Sequence, residues 1–160
     1  MTLKYVLSVP SGAPDAEKLP LVIVLHGRGA DANDLADLAP YIDNGYRFVF
    51  PNAPRPFEPM PGMSFGYTWF DGLPPEQASL EASRTLMLQF IDEIVGKYPT
   101  SKLVLAGFSQ GAMMSLDVPR AALPATGATR RSVMNLSVNA IVDGRMNFAM
   151  PQTVASVISR

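Results

Sequence analysis

The sequence predicts an α/β fold with a mainly parallel sheet and flanking helices, and three features predict it. Residues 21–25 (Leu-Val-Ile-Val-Leu) and 103–106 (Leu-Val-Leu-Ala) are short, uniformly apolar runs, the pattern of strands covered on both faces. Between them, residues 79–98 place Met87, Ile91, Ile94 and Tyr98 at helical spacing, with Phe90 and Val95 broadening the stripe. At residues 107–111 a Gly-Phe-Ser-Gln-Gly pentapeptide joins the second apolar run to a helix-forming one, which reads as strand, sharp turn, helix.

In chain order, residues 3–9 alternate weakly and end at Pro10, giving a first strand, and residues 11–20 form a polar loop of turn formers. The strand at 21–25 runs directly into His26-Gly-Arg-Gly-Ala30. Residues 31–44 predict a short helix with Leu35, Leu38 and Ile42 on one side, broken around Pro40, before an Asn44-Gly45 turn. Residues 47–50 (Arg-Phe-Val-Phe) are the next strand. A long Pro- and Gly-rich loop then carries Phe57, Met60, Met63, Phe65, Tyr67, Trp69 and Phe70. Loops of this length in a compact domain are often functional. Lys97 and Pro99 end the long helix.

Composition limits the function. The net charge of −1 and pI near 5.7 give no electrostatic footprint for nucleic acid. No apolar run approaches membrane-spanning length, so stable membrane insertion is not expected. The first ten residues lack the sustained apolar core of a signal peptide, which makes a cytoplasmic location the expectation. Cysteine is absent and histidine occurs once, so disulfides, a cysteine nucleophile and a metal or organic cofactor are not implied.

Chemistry concentrates in two glycine-bearing turns. A serine at the tip of a tight strand-to-helix turn has strained backbone angles, and Gly107 and Gly111 let strand and helix approach without side-chain clash. The following helix points its amino end at Ser109, making the Gln110 N–H a candidate oxyanion donor. In His-Gly-Arg-Gly the glycines let a backbone N–H face a cavity, and the Arg28 N–H is the second candidate donor. The aromatic loop suits an apolar acyl pocket, with Trp69 and Phe70 its leading members. It equally suits a loop pinned by its own side chains.

Taken together, Leu25-His-Gly-Arg-Gly-Ala-Asp31, Phe50-Pro-Asn-Ala-Pro54, Tyr67-Thr-Trp-Phe-Asp71 and Gly107-Phe-Ser-Gln-Gly-Ala-Met113 resemble the bacterial carboxylesterase and acyl-protein thioesterase branch of the α/β-hydrolases. The resemblance covers about residues 3–118 and implies a truncated α/β-hydrolase. It implies a serine hydrolase of carboxylic esters, lysophospholipids or thioesters acting through an acyl-enzyme. By position, Ser109 is the nucleophile, Arg28 and Gln110 supply oxyanion N–H groups, and Trp69 lies near the acyl site. In this fold the order is serine, then acid, then histidine. The single histidine, His26, precedes the serine, at a place the family uses structurally, so the activity is expected to be impaired.

After residue 118 the sequence changes character: no lysine or glutamate follows, Phe148 is the one aromatic, and periodicity fades. Residues 1–118 are therefore expected to form the hydrolase core and 119–160 a divergent, weakly structured tail, from a truncated or frame-shifted reading frame. Residues 139–144 read as a strand or turn ending in Asp143-Gly144, and residues 150–158 as a weak terminal helix begun by Pro151. If the strand at 103–106 is central, its far edge is left uncovered, inviting a homodimer. Two alternatives stand beside the hydrolase: a non-catalytic acyl-binding or interaction module, and a non-functional fragment of a longer hydrolase. The expected partner is a small-molecule acyl ester or thioester.

Overall fold

The structure, a computed structural model, describes residues 2–10, 19–42, 45–100, 102–122 and 137–141. Its five-stranded sheet contains β1 (Tyr5–Ser8), β2 (Leu21–Leu25), β3 (Arg47–Pro51), β6 (Leu103–Phe108) and β7 (Ser137–Ile141) in the order β1-β3-β2-β6-β7. Only β1 is antiparallel, through Tyr5 opposite Pro51. The other three pairings are parallel, as uniformly apolar strands require when both faces are covered.

Period-two alternation along β2 divides the core. Leu21, Ile23 and Leu25 face one cluster with Val49, Leu105, Trp69, Phe70 and the helical residues Met87, Phe90, Ile94, Met114 and Val118. Val22 and Val24 face the other, with Phe48, Phe50, Val104, Ala32 and Ala39. Helices α2 (Gln77–Lys97) and α3 (Gln110–Ala122) thus cover one face. The other lies under a 3₁₀ turn (Ala36–Leu38) and the one-turn α1 (Ala39–Ile42).

Several elements differ from the sequence expectation. The predicted helix at 31–44 shrinks to those two turns, and Leu38 is exposed while Ala32 and Ala39 make the contact. Pro40 sits in the first turn of α1, where its missing N–H costs nothing. The long loop contains a second, two-stranded sheet of β4 (Arg55–Pro56) and β5 (Tyr67–Thr68). Beyond it a tight turn forms, with the Met63 N–H donating to the Met60 carbonyl and Gly62 at φ 79°. In α2 the buried seam runs through Ser79 and Ser83 as well as Met87, Phe90 and Ile94, a polar extension that apolar periodicity does not register.

The largest difference is at β6. The expectation of an uncovered edge does not hold, because β7 pairs with it in parallel from Val104 opposite Ser137 to Phe108 opposite Ile141. The uncovered-edge reason for a homodimer therefore falls away at β6. The strand begins two positions before the expected 139–144 segment, and Asp143 lies outside the described residues, as does the expected helix at 150–158. Helix α3 continues through Pro119 to Ala122.

Candidate active site

Parallel register positions the two turns. Leu25 lies opposite Gly107, so the turns that follow, beginning at His26 and at Ser109, leave the sheet side by side at its carboxyl edge. The contact is close: a Cβ built on Gly27 would stand 3.1 Å from Phe108 Cδ1 and 3.5 Å from Ser109 Cβ. Ser109 has φ 51°, the one positive-φ non-glycine residue among those described. The left-handed region costs an L-residue about 1–2 kcal/mol, so the turn is held there by its surroundings. Its carbonyl caps α3, accepting from the Ala112 N–H at 3.0 Å and the Met113 N–H at 3.2 Å. The side chain is exposed and its hydroxyl makes no hydrogen bond among the described residues.

Gly107 and Gly111 are steric requirements. A Cβ on Gly107 would come within 2.3 Å of the Gly111 carbonyl carbon, and one on Gly111 within 2.1 Å of the Leu25 carbonyl oxygen. The start of α3 is thereby pressed against the end of β2.

The two candidate oxyanion donors are turned by the hydrogen bonds of the carbonyls that precede them. In a planar trans peptide the N–H points opposite to the preceding carbonyl. The Ser109 carbonyl is turned into α3, which turns the Gln110 N–H out of the helix's amino end. The Gly27 carbonyl is held by His26 Nδ1–H at 2.7 Å and by the Ala30 N–H at 3.3 Å, which turns the Arg28 N–H the other way. Neither N–H has an acceptor among the described residues. The Arg28 guanidinium is drawn aside, donating to the Gly72 carbonyl at 2.8 Å and lying 5.8 Å from the Phe57 ring centroid.

His26 is fully engaged elsewhere. Its Nε2 accepts from the Ala53 N–H at 3.0 Å, which fixes Nε2 as the unprotonated nitrogen and Nδ1 as the donor to Gly27. The ring is 1% exposed, and burial pushes its pKa below the ordinary histidine value. A general base needs a free lone pair near the hydroxyl it deprotonates. The lone pair of His26 is already spent on Ala53, so its role is structural.

Trp69 and Phe70, expected at the acyl site, are placed instead in the core, 0% and 1% exposed. The Trp69 indole Nε1–H donates to the His26 carbonyl at 2.9 Å, and the two rings lie 5.5 Å apart. Apolar side chains that do reach the surface beside Ser109 are Phe108 and Met113, 41% and 40% exposed.

Sequence reasoning missed the residues that brace the site. The Asn52 Oδ1 accepts from the Ala32 N–H at 2.6 Å, so Asn52 and Ala53 together pin the loop after β2 from the end of β3. The Pro-Asn-Ala-Pro motif was visible, but its partners lie 20 and 27 residues upstream. The Gln110 carboxamide, 4% exposed, accepts from the Trp69 N–H at 2.8 Å and donates to the Phe70 carbonyl at 2.7 Å. Thr68 Oγ1 lies 3.1 Å from Gln110 Oε1 and 2.9 Å from the Phe70 carbonyl. Ser83 Oγ donates to the Trp69 carbonyl. Among the described residues no group of three His, Cys, Asp or Glu side chains is placed to hold a metal ion, and no helix is long and apolar enough to cross a membrane.

A strained serine between two obligatory glycines, facing a His-Gly-Arg-Gly loop, agrees with the comparisons. Esterase PE8 is 31% identical, with a TM-score of 0.61 over 74% of this chain and 57% of its own. A carboxylesterase from Mesorhizobium loti (23% identity, TM-score 0.59, 87% of this chain and 62% of its own) shares the fold. So does acyl-protein thioesterase 2 of Zea mays (20%, TM-score 0.54, 72% and 50%). The chain therefore spans between half and two thirds of the length of these three proteins. A model of the phospholipase/carboxylesterase family matches residues 11–146, reaching past the last recognisable motif and through β7. With its mainly parallel sheet, its glycine-flanked serine and this match over most of its length, the chain belongs to the phospholipase/carboxylesterase family of α/β-hydrolases.

Proposed function

We propose that the chain carries a serine acyl-transfer site for carboxylic esters or thioesters, with Ser109 as nucleophile and the Arg28 and Gln110 N–H groups holding the oxyanion. The observation that carries this reading is the geometry of Ser109: positive φ, an exposed hydroxyl, and Gly27 at its side. In the reaction Ser109 Oγ would bond to the acyl carbon and the ester C–O or thioester C–S bond would break. The tetrahedral oxyanion in between would accept from the two backbone N–H groups. No cofactor is needed for these steps.

The sole histidine is committed to Gly27 and Ala53, so the serine proton would pass to hydroxide or buffer. Serine hydrolases deprived of a triad member retain about 10³–10⁴-fold acceleration over water from the oxyanion hole and binding. The proposed activity is therefore slow and rises with pH. The test is hydrolysis of a short-chain nitrophenyl ester beside Ser109→Ala prepared identically. Turnover above background that disappears in Ser109→Ala supports the reading; equal rates in two folded proteins refute it.

The occupied lone pair of His26 favours a second reading, a non-catalytic acyl-binding module. It predicts retention of a fatty acyl ester that survives Ser109→Ala, with no covalent adduct on Ser109. An adduct would count against it.

A further inference from the structure

The two oxyanion donors come from turns more than 80 residues apart, yet one buried hydrogen-bond path joins them. It starts at the Gln110 carboxamide, whose Oε1 accepts from the Trp69 N–H and whose Nε2 donates to the Phe70 carbonyl, at 2.8 and 2.7 Å. Trp69 continues it through Nε1–H to the His26 carbonyl at 2.9 Å. His26 ends it through Nδ1–H on the Gly27 carbonyl at 2.7 Å, the carbonyl whose peptide contains the Arg28 N–H. Gln110, Trp69 and His26 are 4%, 0% and 1% exposed, so water cannot substitute for a lost partner without the core opening.

The donor and acceptor types leave no freedom in this path. The Trp69 N–H only donates and the Phe70 carbonyl only accepts, which fixes the orientation of the Gln110 carboxamide. The Ala53 N–H fixes the His26 tautomer in the same way. Gln110 thus contributes twice: its backbone N–H faces the Ser109 site and its side chain holds the segment after β5, whose Trp69 indole reaches the loop of the opposite donor.

We infer that Gln110 is a positioning residue, whose buried side chain sets through Trp69 and His26 the alignment of the Arg28 and Gln110 N–H groups at the Ser109 site. The inference rests on the reading of Ser109 as the nucleophile. Its mechanism is pre-organisation: donors that shift by a fraction of an ångström lose much of their hold on developing charge. Gln110→Glu keeps the acceptor for the Trp69 N–H but sets a carboxylate oxygen against the Phe70 carbonyl. Gln110→Met keeps the length and removes both bonds. Trp69→Phe breaks the path at its middle link.

The test is the rate at which a short-chain alkyl fluorophosphonate labels the full chain. Ser109 Oγ bonds to phosphorus, the P–F bond breaks, fluoride leaves and the hydroxyl proton goes to buffer. Gln110→Glu, Gln110→Met and Trp69→Phe are expected to react at least about tenfold more slowly while remaining folded. Arg84→Gln, which breaks an ion pair between α2 and α3 away from the path, should stay within about twofold of wild type. Wild-type labelling rates in the folded Gln110 variants overturn the inference. Should the Gln110 variants fail to fold, Trp69→Phe decides in the same assay.

A second readout separates this inference from the reading beneath it. Trp69 is the only tryptophan, so its indole N–H gives a single resonance reporting on the bond to His26. If wild type is not labelled at all, the nucleophile reading fails and indole hydrogen exchange decides alone. Exchange at least about tenfold faster in Gln110→Met than in wild type supports the positioning path. Unchanged exchange overturns it.

Discussion

Gly111→Ala tests the packing that brings the two turns together, because helix preference and tertiary contact predict opposite signs. Gly111 is the second residue of α3, and its φ is not among the positive ones. By helix preference alone, alanine there would stabilise by about 1 kcal/mol. The added methyl, however, would lie 2.1 Å from the Leu25 oxygen, 2.5 Å from the Leu25 carbon and 2.6 Å from the His26 oxygen, whereas real Cβ contacts stay beyond 3.0 Å. All three atoms belong to backbone at the end of β2, so no side chain can rotate away. Overpacking against a well-packed core costs about 3 kcal/mol at the upper end of its usual range. The expected net is a loss of about 2 kcal/mol, or roughly 4–8 °C in Tm for a chain of this size. Gly96→Ala is the matched control, since a Cβ there meets nothing within 4 Å. It should stabilise by about 0.5–1 kcal/mol. The assay is urea unfolding of wild type and both variants, followed by far-UV circular dichroism. A Gly111→Ala protein as stable as Gly96→Ala would refute the claimed contact between α3 and β2.

Three further predictions follow from other contacts. Burial lowers the pKa of His26, so the unfolded chain takes up the proton first; stability is complete above pH of about 6.5 and falls as the pH drops from there toward the folded value. Unfolding free energies at pH 7.5 and 5 should therefore diverge more for wild type than for His26→Asn, and equal pH dependence would contradict the assignment. Ser109→Gly should be more stable than Ser109→Ala by about 1 kcal/mol, because glycine occupies φ 51° without strain; calorimetry showing the reverse order would remove the case for a strained turn. The bidentate pair of Arg84 Nε and Nη2 with Asp117, at 2.6 and 3.0 Å, ties α2 to α3 with both side chains less than a third exposed. A double-mutant cycle on Arg84→Gln and Asp117→Asn should give a coupling of about 1 kcal/mol, and a coupling near zero would show the contact to be incidental.

The sequence by itself determined the features that are written over a few adjacent residues. Short, uniformly apolar runs bounded by turn formers suit strands covered on both faces, which placed β2 and β6. Glycines two before and two after a serine admit the tight turn that Ser109 occupies. Helical spacing located α2. The motifs in their order pointed to the family that the comparisons show. What only the tertiary structure decided depends on partners far along the chain. The pairing of β6 with β7 crosses 33 positions from Val104 to Ser137, so the change of composition after residue 118 suggested an open edge where a strand lies. Trp69 and Phe70 look the same in a sequence whether they line a pocket or fill a core; in the fold they are buried with helices α2 and α3 on one face of the sheet. The commitment of His26 Nε2, and the reach of the Gln110 carboxamide to residues 69 and 70, depend on backbone groups 27 and about 40 positions away. Local pattern reports which conformations a segment can adopt. A hydrogen-bond partner is fixed only when the register of the parallel strands brings two distant turns to the same sheet edge.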